Sequence, residues 1–379
     1  MRSSSFISLL GLALMLRPCA AAEFKPEATS SSTIPATMNR VYVADPALPH
    51  MVDGRVYVLD ASDLSLKGML EAGFAGMMVA APDKHRVYVA TTFYERLTRG
   101  KRTDVIQVFD DQTLKVIDEI PILTRRAQAL GYRSLFQRSS DGRLLFIQNA
   151  TPATSVSIVD PDSKRQLEAP APGCFGIYPA LSTPLRFSTL CGDGTVGTYT
   201  ITANLRSADR KVSGKLFDAG ADPLFIHAEH DQDSYIFLSF KGKLLRASLE
   251  GERATAIETL DIIPADATGW APGGYQPFAV DAKAKIAYIL MHSDDKDGAH
   301  KNPSAEIWSY DIGNKRLLAR SPAANLTSLT LSAVDPTVLF AINPVDQKIE
   351  RLTIDATGKV SRSADIKLGE TAALVEAPR

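Results

Sequence analysis

Only a few side chains in this chain stand where their type and spacing invite chemistry. His227 and His230 lie three apart, which suggests a metal pair, but on a strand that spacing sends the two rings to opposite faces. Asp294, Asp295 and Asp297 offer the oxygens that calcium takes, yet Lys296 interrupts them and the closing Glu is missing, so the cluster reads as a solvated charged loop. There is no Gly-rich phosphate loop, no G-x-S-x-G elbow and no H-E-x-x-H. Nothing assembles a nucleophile, a base and an oxyanion site by spacing. Cys174 and Cys191 are the two cysteines left after the N-terminal leader, and an even pair in an exported chain reads as a disulfide. It would close a loop of 17 residues, worth about 3 kcal/mol in the chain-entropy view. Two unpaired buried thiols are the alternative, and two sulfurs alone are too few for a metal site.

The elements that would carry these residues announce themselves by repetition. An alternating apolar run ending in Asp and a polar turn returns about every fifty residues, as in Val56–Asp60, Val105–Asp110 and Val156–Asp160. Further runs follow at Val196–Thr202, Lys243–Leu249, Glu306–Asp311 and Arg351–Asp355. Short apolar partner strands precede most of them: Arg86–Ala90, Leu144–Ile147, Tyr235–Leu238, Ala287–Leu290 and Val338–Ala341. The pattern predicts an all-β chain, a seven-bladed β-propeller with blades of the YVTN or WD40 kind over residues 39–379. Arg40–Val43 has no earlier partner and is expected to close the ring with the last blade. The aspartates at the strand ends, Asp60, Asp110, Asp160, Asp311 and Asp355, are expected to bond their own turns. Two segments break the rhythm as expected loops, 91–104 and 292–304.

Composition narrows the function. The chain has 379 residues, a formal net charge of -1 and 22% charged residues, so it lacks the basic footprint of a nucleic-acid partner. Arg2, the apolar run 6–16 and Ala20–Ala22 read as a cleavable signal peptide over residues 1–22, which implies export to the periplasm with no membrane anchor. Residues 23–38, rich in Ser, Thr, Pro and Ala, read as a flexible arm.

Specific segments carry the reading further. Thr91–Val105, Gln148–Ser155, Gly173-Cys174 with Cys191–Gly194, and Trp270–Tyr275 followed by His300-Lys301 and Ala305–Trp308 resemble quinoprotein amine dehydrogenase heavy chains. They look closest to the aromatic (aralkylamine) enzymes, with methylamine dehydrogenase as the relative. The resemblance runs from about Arg40 to about Leu331 and is weak beyond it. It implies a heterotetramer of two heavy and two light chains, in which the light chain carries tryptophan tryptophylquinone and the catalytic base. That assembly oxidises a primary amine to an aldehyde and ammonia and passes electrons to an azurin- or amicyanin-like blue copper protein. The heavy chain implied here has no catalytic residue, cofactor or metal of its own. It docks the light chain and helps wall the substrate channel. The resemblance also implies a Cys174–Cys191 bridge. It places Leu48 where heavy chains put a Phe near the channel mouth, and with it the Asp45–Asp53 loop, His50 included. Leu48, His50, Tyr94, Arg96 and Arg99 are the expected contacts with the light chain or channel. Two readings compete with this one: a periplasmic binding or assembly propeller without a quinone partner, and a stand-alone propeller hydrolase or lactonase with a metal in its central channel.

Overall fold

A computed structural model describes residues 33–128 and 131–378. The expected signal peptide lies outside the described residues, as does the arm as far as residue 32. The end of that arm is docked: Ile34 is buried, its N–H donates to the Gln112 carbonyl at 2.9 Å, and Arg40 holds the Pro35 and Met38 carbonyls.

Among the described residues all regular structure is strand, apart from short 3-10 turns. The strands form antiparallel meanders. One seven-stranded sheet runs through the 16-residue strand Leu66–Ala81, whose first half pairs with Gly54–Asp60 and second half with Arg86–Arg96. Gly73, with a φ of +51°, sits between the halves. Four further sheets have four strands and one has five. Every marker run expected from the sequence is the third strand of a meander, and every expected partner run is the second. Arg40–Asp45 pairs with Leu374–Glu376 near the other end of the described chain, so the first sheet draws its strands from both ends.

Third strands are apolar on both faces over much of their length because each packs between two neighbours: Val156 and Ile158 enter one buried cluster and Val159 the next. The buried clusters lie between consecutive sheets, apart from one in which the two halves of the seven-stranded sheet pack on each other, Tyr42 and Val56 against Val87 and Val89. Phe225, Ile236 and Leu244 meet Phe278, Ile289 and Trp308 in one, for example. In another, Val338, Phe340 and Ile349 meet Val41, Val43 and Val375, so the last sheet packs on the first.

The aspartates do what turn chemistry requires of them. Asp110 Oδ1 accepts the Gln112 and Thr113 N–H groups, and Asp160 Oδ1 accepts those of Asp162 and Ser163. Asp60, Asp311 and Asp355 cap their turns in the same way. Four residues after the Asp, Leu64, Leu114, Lys164 and Lys315 sit at φ between +55° and +61°. The Asp bonds stabilise that left-handed turn.

Candidate functional site

In an antiparallel meander the connection between second and third strands emerges at the same end as the link entering the first strand. Within a meander those connections and links therefore share one end, and for the two meanders of the seven-stranded sheet they meet at Gly73. All five expected contact residues belong to two such connections.

The first is the segment 46–53 between Arg40–Asp45 and Gly54–Asp60. It is not a free loop. Leu48–Asp53 coils as a 3-10 turn behind Ala47, which has a φ of +46°. The Leu48 N–H donates to Thr371 Oγ1 at 2.9 Å, leaving the side chain 45% exposed. Asp45 is the anchor that the sequence did not reveal. Only 3% exposed, it accepts N–H groups from Ala47, Glu370 and Thr371 and the Thr371 hydroxyl. These bonds tie the segment to the end of the chain. A cleft of about 210 Å³ opens here, lined by Asp45, His50, Asp53, Arg55, Tyr57 and Glu370. Burial, with Asp45 nearby, holds the Tyr57 hydroxyl above its ordinary pKa.

The second connection corrects an expectation. Residues 91–104 are not a loop but the projecting ends of two long strands, Arg86–Arg96 and Arg99–Asp110, turning at Leu97 and Thr98. The strands outrun the core, so their outer residues are charged and show no apolar alternation. Tyr94 points inward: its ring meets Phe74 edge-on at 5.6 Å and its hydroxyl contacts Gln128 at 3.3 Å. Arg96 and Arg99 face each other across the tip and are exposed.

A buried polar network pins the base of this hairpin. Asp104 is fully buried and accepts Arg102 Nε and Nη2 at 2.8 and 2.6 Å, the Thr92 hydroxyl at 2.7 Å and the Arg126 N–H at 3.2 Å. The Arg126 guanidinium donates to the Ala75 and Phe74 carbonyls and to Thr92 Oγ1. Burial pushes Arg126 down to about 10, Asp104 pulling the other way, so it stays charged at neutral pH. The two connections adjoin at Gly73. A Cβ there would lie 2.4 Å from Thr91 Oγ1, and Gly54 is its strand partner.

Other singled-out residues take structural places. Cys174 and Cys191 are direct cross-strand partners joined by a disulfide, and Arg210 Nη2 lies 3.3 Å from Cys174 Sγ. His227 is buried and meets the Phe278 carbonyl at 2.9 Å and Glu229 at 3.2 Å, whereas His230 is exposed. The expected loop 292–304 folds back through the turn Ala299–Lys301, where the His300 ring stacks on Phe240 at 4.1 Å. Among the described residues no three His, Cys, Asp or Glu side chains converge as metal ligands. In the Trp270–Tyr275 segment, Gly274 has a φ of +117° and sits where a Cβ would strike the Thr327 carbonyl, so only glycine fits. The Arg320 guanidinium lies over both indoles, 4.5 Å from Trp270 and 4.7 Å from Trp308.

Sequence reasoning missed one interior cluster. The Arg133 guanidinium reaches Glu229 at 3.1 Å and Glu376 at 3.5 Å, joining strands far apart in the chain. Burial alone would raise the Glu229 carboxyl, but Arg133 and His227 outweigh it and hold it low. Burial wins at Glu376, whose pKa is raised despite Arg133.

The profile of the methylamine dehydrogenase heavy chain family matches residues 37–376, well past the point where the resemblance had faded. A methylamine dehydrogenase heavy chain of Methylophilus methylotrophus is 26% identical over 354 residues, covering 92% of this chain and 85% of that one. Among solved structures, a periplasmic gluconolactonase of Pseudomonas aeruginosa superposes with a TM-score of 0.62 at 15% identity, covering 90% of this chain and 99% of that one. The β-propeller domain of Cps50 (Swd1) from Myceliophteria thermophila does so at 0.54 and 10% identity, covering 83% and 95%. At such identities the structures speak for the fold alone, and that fold agrees with a propeller.

Proposed function

Because the chain belongs to the methylamine dehydrogenase heavy chain family, we propose that it is the non-catalytic heavy subunit of a periplasmic amine dehydrogenase. The single observation that carries this reading is the family match over almost all of the described chain. In this reading residues 39–379 form one domain, a seven-bladed ring. The clusters between consecutive sheets, last on first included, and the one between the halves of the seven-stranded sheet support that count.

The reaction is R-CH2-NH2 plus water to aldehyde and ammonia, with two electrons and two protons released. A light chain carrying tryptophan tryptophylquinone would supply the acceptor for those electrons, with a blue copper protein as the onward acceptor. Among the described residues, both tryptophans of the chain are otherwise engaged. Trp270 and Trp308 are engaged by Arg320, and Trp308 Nε1 donates to Glu306 at 2.7 Å.

This chain's part is to bind, orient and exclude water. The face carrying segment 46–53 and the hairpin receives the light chain. Leu48 stands at the channel mouth, exposed and smaller than the Phe implied there, which leaves room for an aralkylamine.

The test is recovery of the tagged chain from its native host. The expected result is a small co-purifying chain whose quinone absorbance bleaches with an aralkylamine faster than with methylamine. Recovery of this chain alone, colourless and unreactive, overturns the reading in favour of an orphan binding propeller.

A further inference from the structure

The hairpin tip differs from the rest of the surface in three ways at once. Leu97 is 74% exposed, more than any other large apolar side chain in the described residues, and it holds a φ of +57°. The left-handed backbone serves the two-residue turn that joins Arg96 to Arg99, but nothing in that turn requires a large apolar side chain held out in solvent. Arg96, Arg99 and Lys101 surround it, exposed. Arg102 is bound inward to Asp104, and the Glu95 carboxylate takes the Lys101 N–H at 3.1 Å. Among the described residues, no carboxylate lies in ion-pair reach of Arg96, Arg99 or Lys101, although the whole chain is at -1. Finally, the Asp104–Arg126 network fixes the base, so the tip loses little freedom when it docks.

We propose that this tip is a preformed peg that enters an acidic, apolar-floored pocket on the partner subunit. Leu97 is the buried anchor, and Arg96, Arg99 and Lys101 form the charged collar around it. A nucleic acid or an anionic lipid surface fits less well. The tip has no exposed aromatic ring for stacking, and the adjoining cleft presents Asp45, Asp53 and Glu370, which repel a polyanion. A protein surface can place its acids opposite the peg alone. The peg rests on the heavy-subunit reading and specifies the chemistry of its partner.

The experiment compares the wild-type chain, Arg96→Glu/Arg99→Glu and Leu97→Ser, each expressed in the native host. The dissociation constant for the co-purified small chain is measured at about 50 and about 300 mM NaCl. The tip is solvent-exposed, so each variant should melt with the wild type. Charge reversal is expected to weaken binding by ~10-fold or more at low salt, with a smaller effect at high salt. Leu97→Ser is expected to weaken it similarly at both. If the small chain binds both variants as tightly as the wild type, the peg is overturned and the heavy-subunit reading stands. If the wild type itself retains no small chain, the reading fails and the peg falls with it.

Discussion

Arg133 serves two glutamates whose titrations move in opposite directions. Glu229 is held low, so its contribution to stability is present above its unfolded pKa and lost as pH falls through the folded value. Glu376 is raised, so its contribution is complete below the unfolded pKa and lost as pH rises through the folded value. At neutral pH the titration of Glu376 therefore works against folding and that of Glu229 works for it. Glu376→Gln is expected to raise the melting temperature at pH 7.5 and to lose that advantage near pH 4.5. Glu229→Gln is expected to lower it at pH 7.5. Thermal melts of both variants across pH check the assignment, and a gain from Glu376→Gln that persists in acid would contradict it. None of the three residues was legible in the sequence, because each belongs to a different meander and only tertiary packing unites them.

At the scale of elements, the hairpin 91–104 depends on a charge it buries rather than on apolar packing. Arg126→Met keeps much of the volume and the backbone N–H on Asp104, but strips the guanidinium donors from the Phe74 and Ala75 carbonyls and from Thr92 Oγ1. Removing one member of a buried charged network costs about 3 kcal/mol. The expected signature is local: hydrogen exchange at Thr92–Asp104 accelerates more than in the distant strand Lys348–Ile354, and Arg126→Lys restores part of the protection. Uniform acceleration everywhere would mean that Arg126 is merely a stability residue. The second and third strands could be read from the sequence, since apolar runs, turn residues and a terminal Asp all agree there. The outer strands could not: Val116–Ile122 and Thr255–Asp261 are partly exposed, so burial imposes little pattern on them. The hairpin read as a loop for the same reason. The Asp45 anchor was hidden because its partners, Glu370 and Thr371, lie more than 300 residues away.

For the whole molecule, the strand Leu374–Glu376 decides whether the proposed ring is closed. Val375 is fully buried between the first and last sheets, and Gln276 holds both its carbonyl and its N–H. Val375→Ala is expected to destabilise by about 2 kcal/mol. The chain has only two tryptophans, Trp270 and Trp308, and both lie in the five-stranded sheet or the turn leading into it. In a closed ring their fluorescence transition falls with the global melt followed by circular dichroism. If the tryptophan transition stays where it was while the global melt drops, the sheets unfold independently and the ring is not a cooperative unit.

The pairing of residues 40–45 with residues 374–376 also sets a clock. A chain emerging in order makes its first two strands early, yet their sheet has no final neighbour until the last stretch is delivered. Until then Val41 and Val43 lack Val375, and the inner edge of Arg40–Asp45 is open to any other extended segment. The nascent protein thus carries a vacant strand position for most of its synthesis. That interval, more than any weakness of the finished fold, is when it most needs a chaperone.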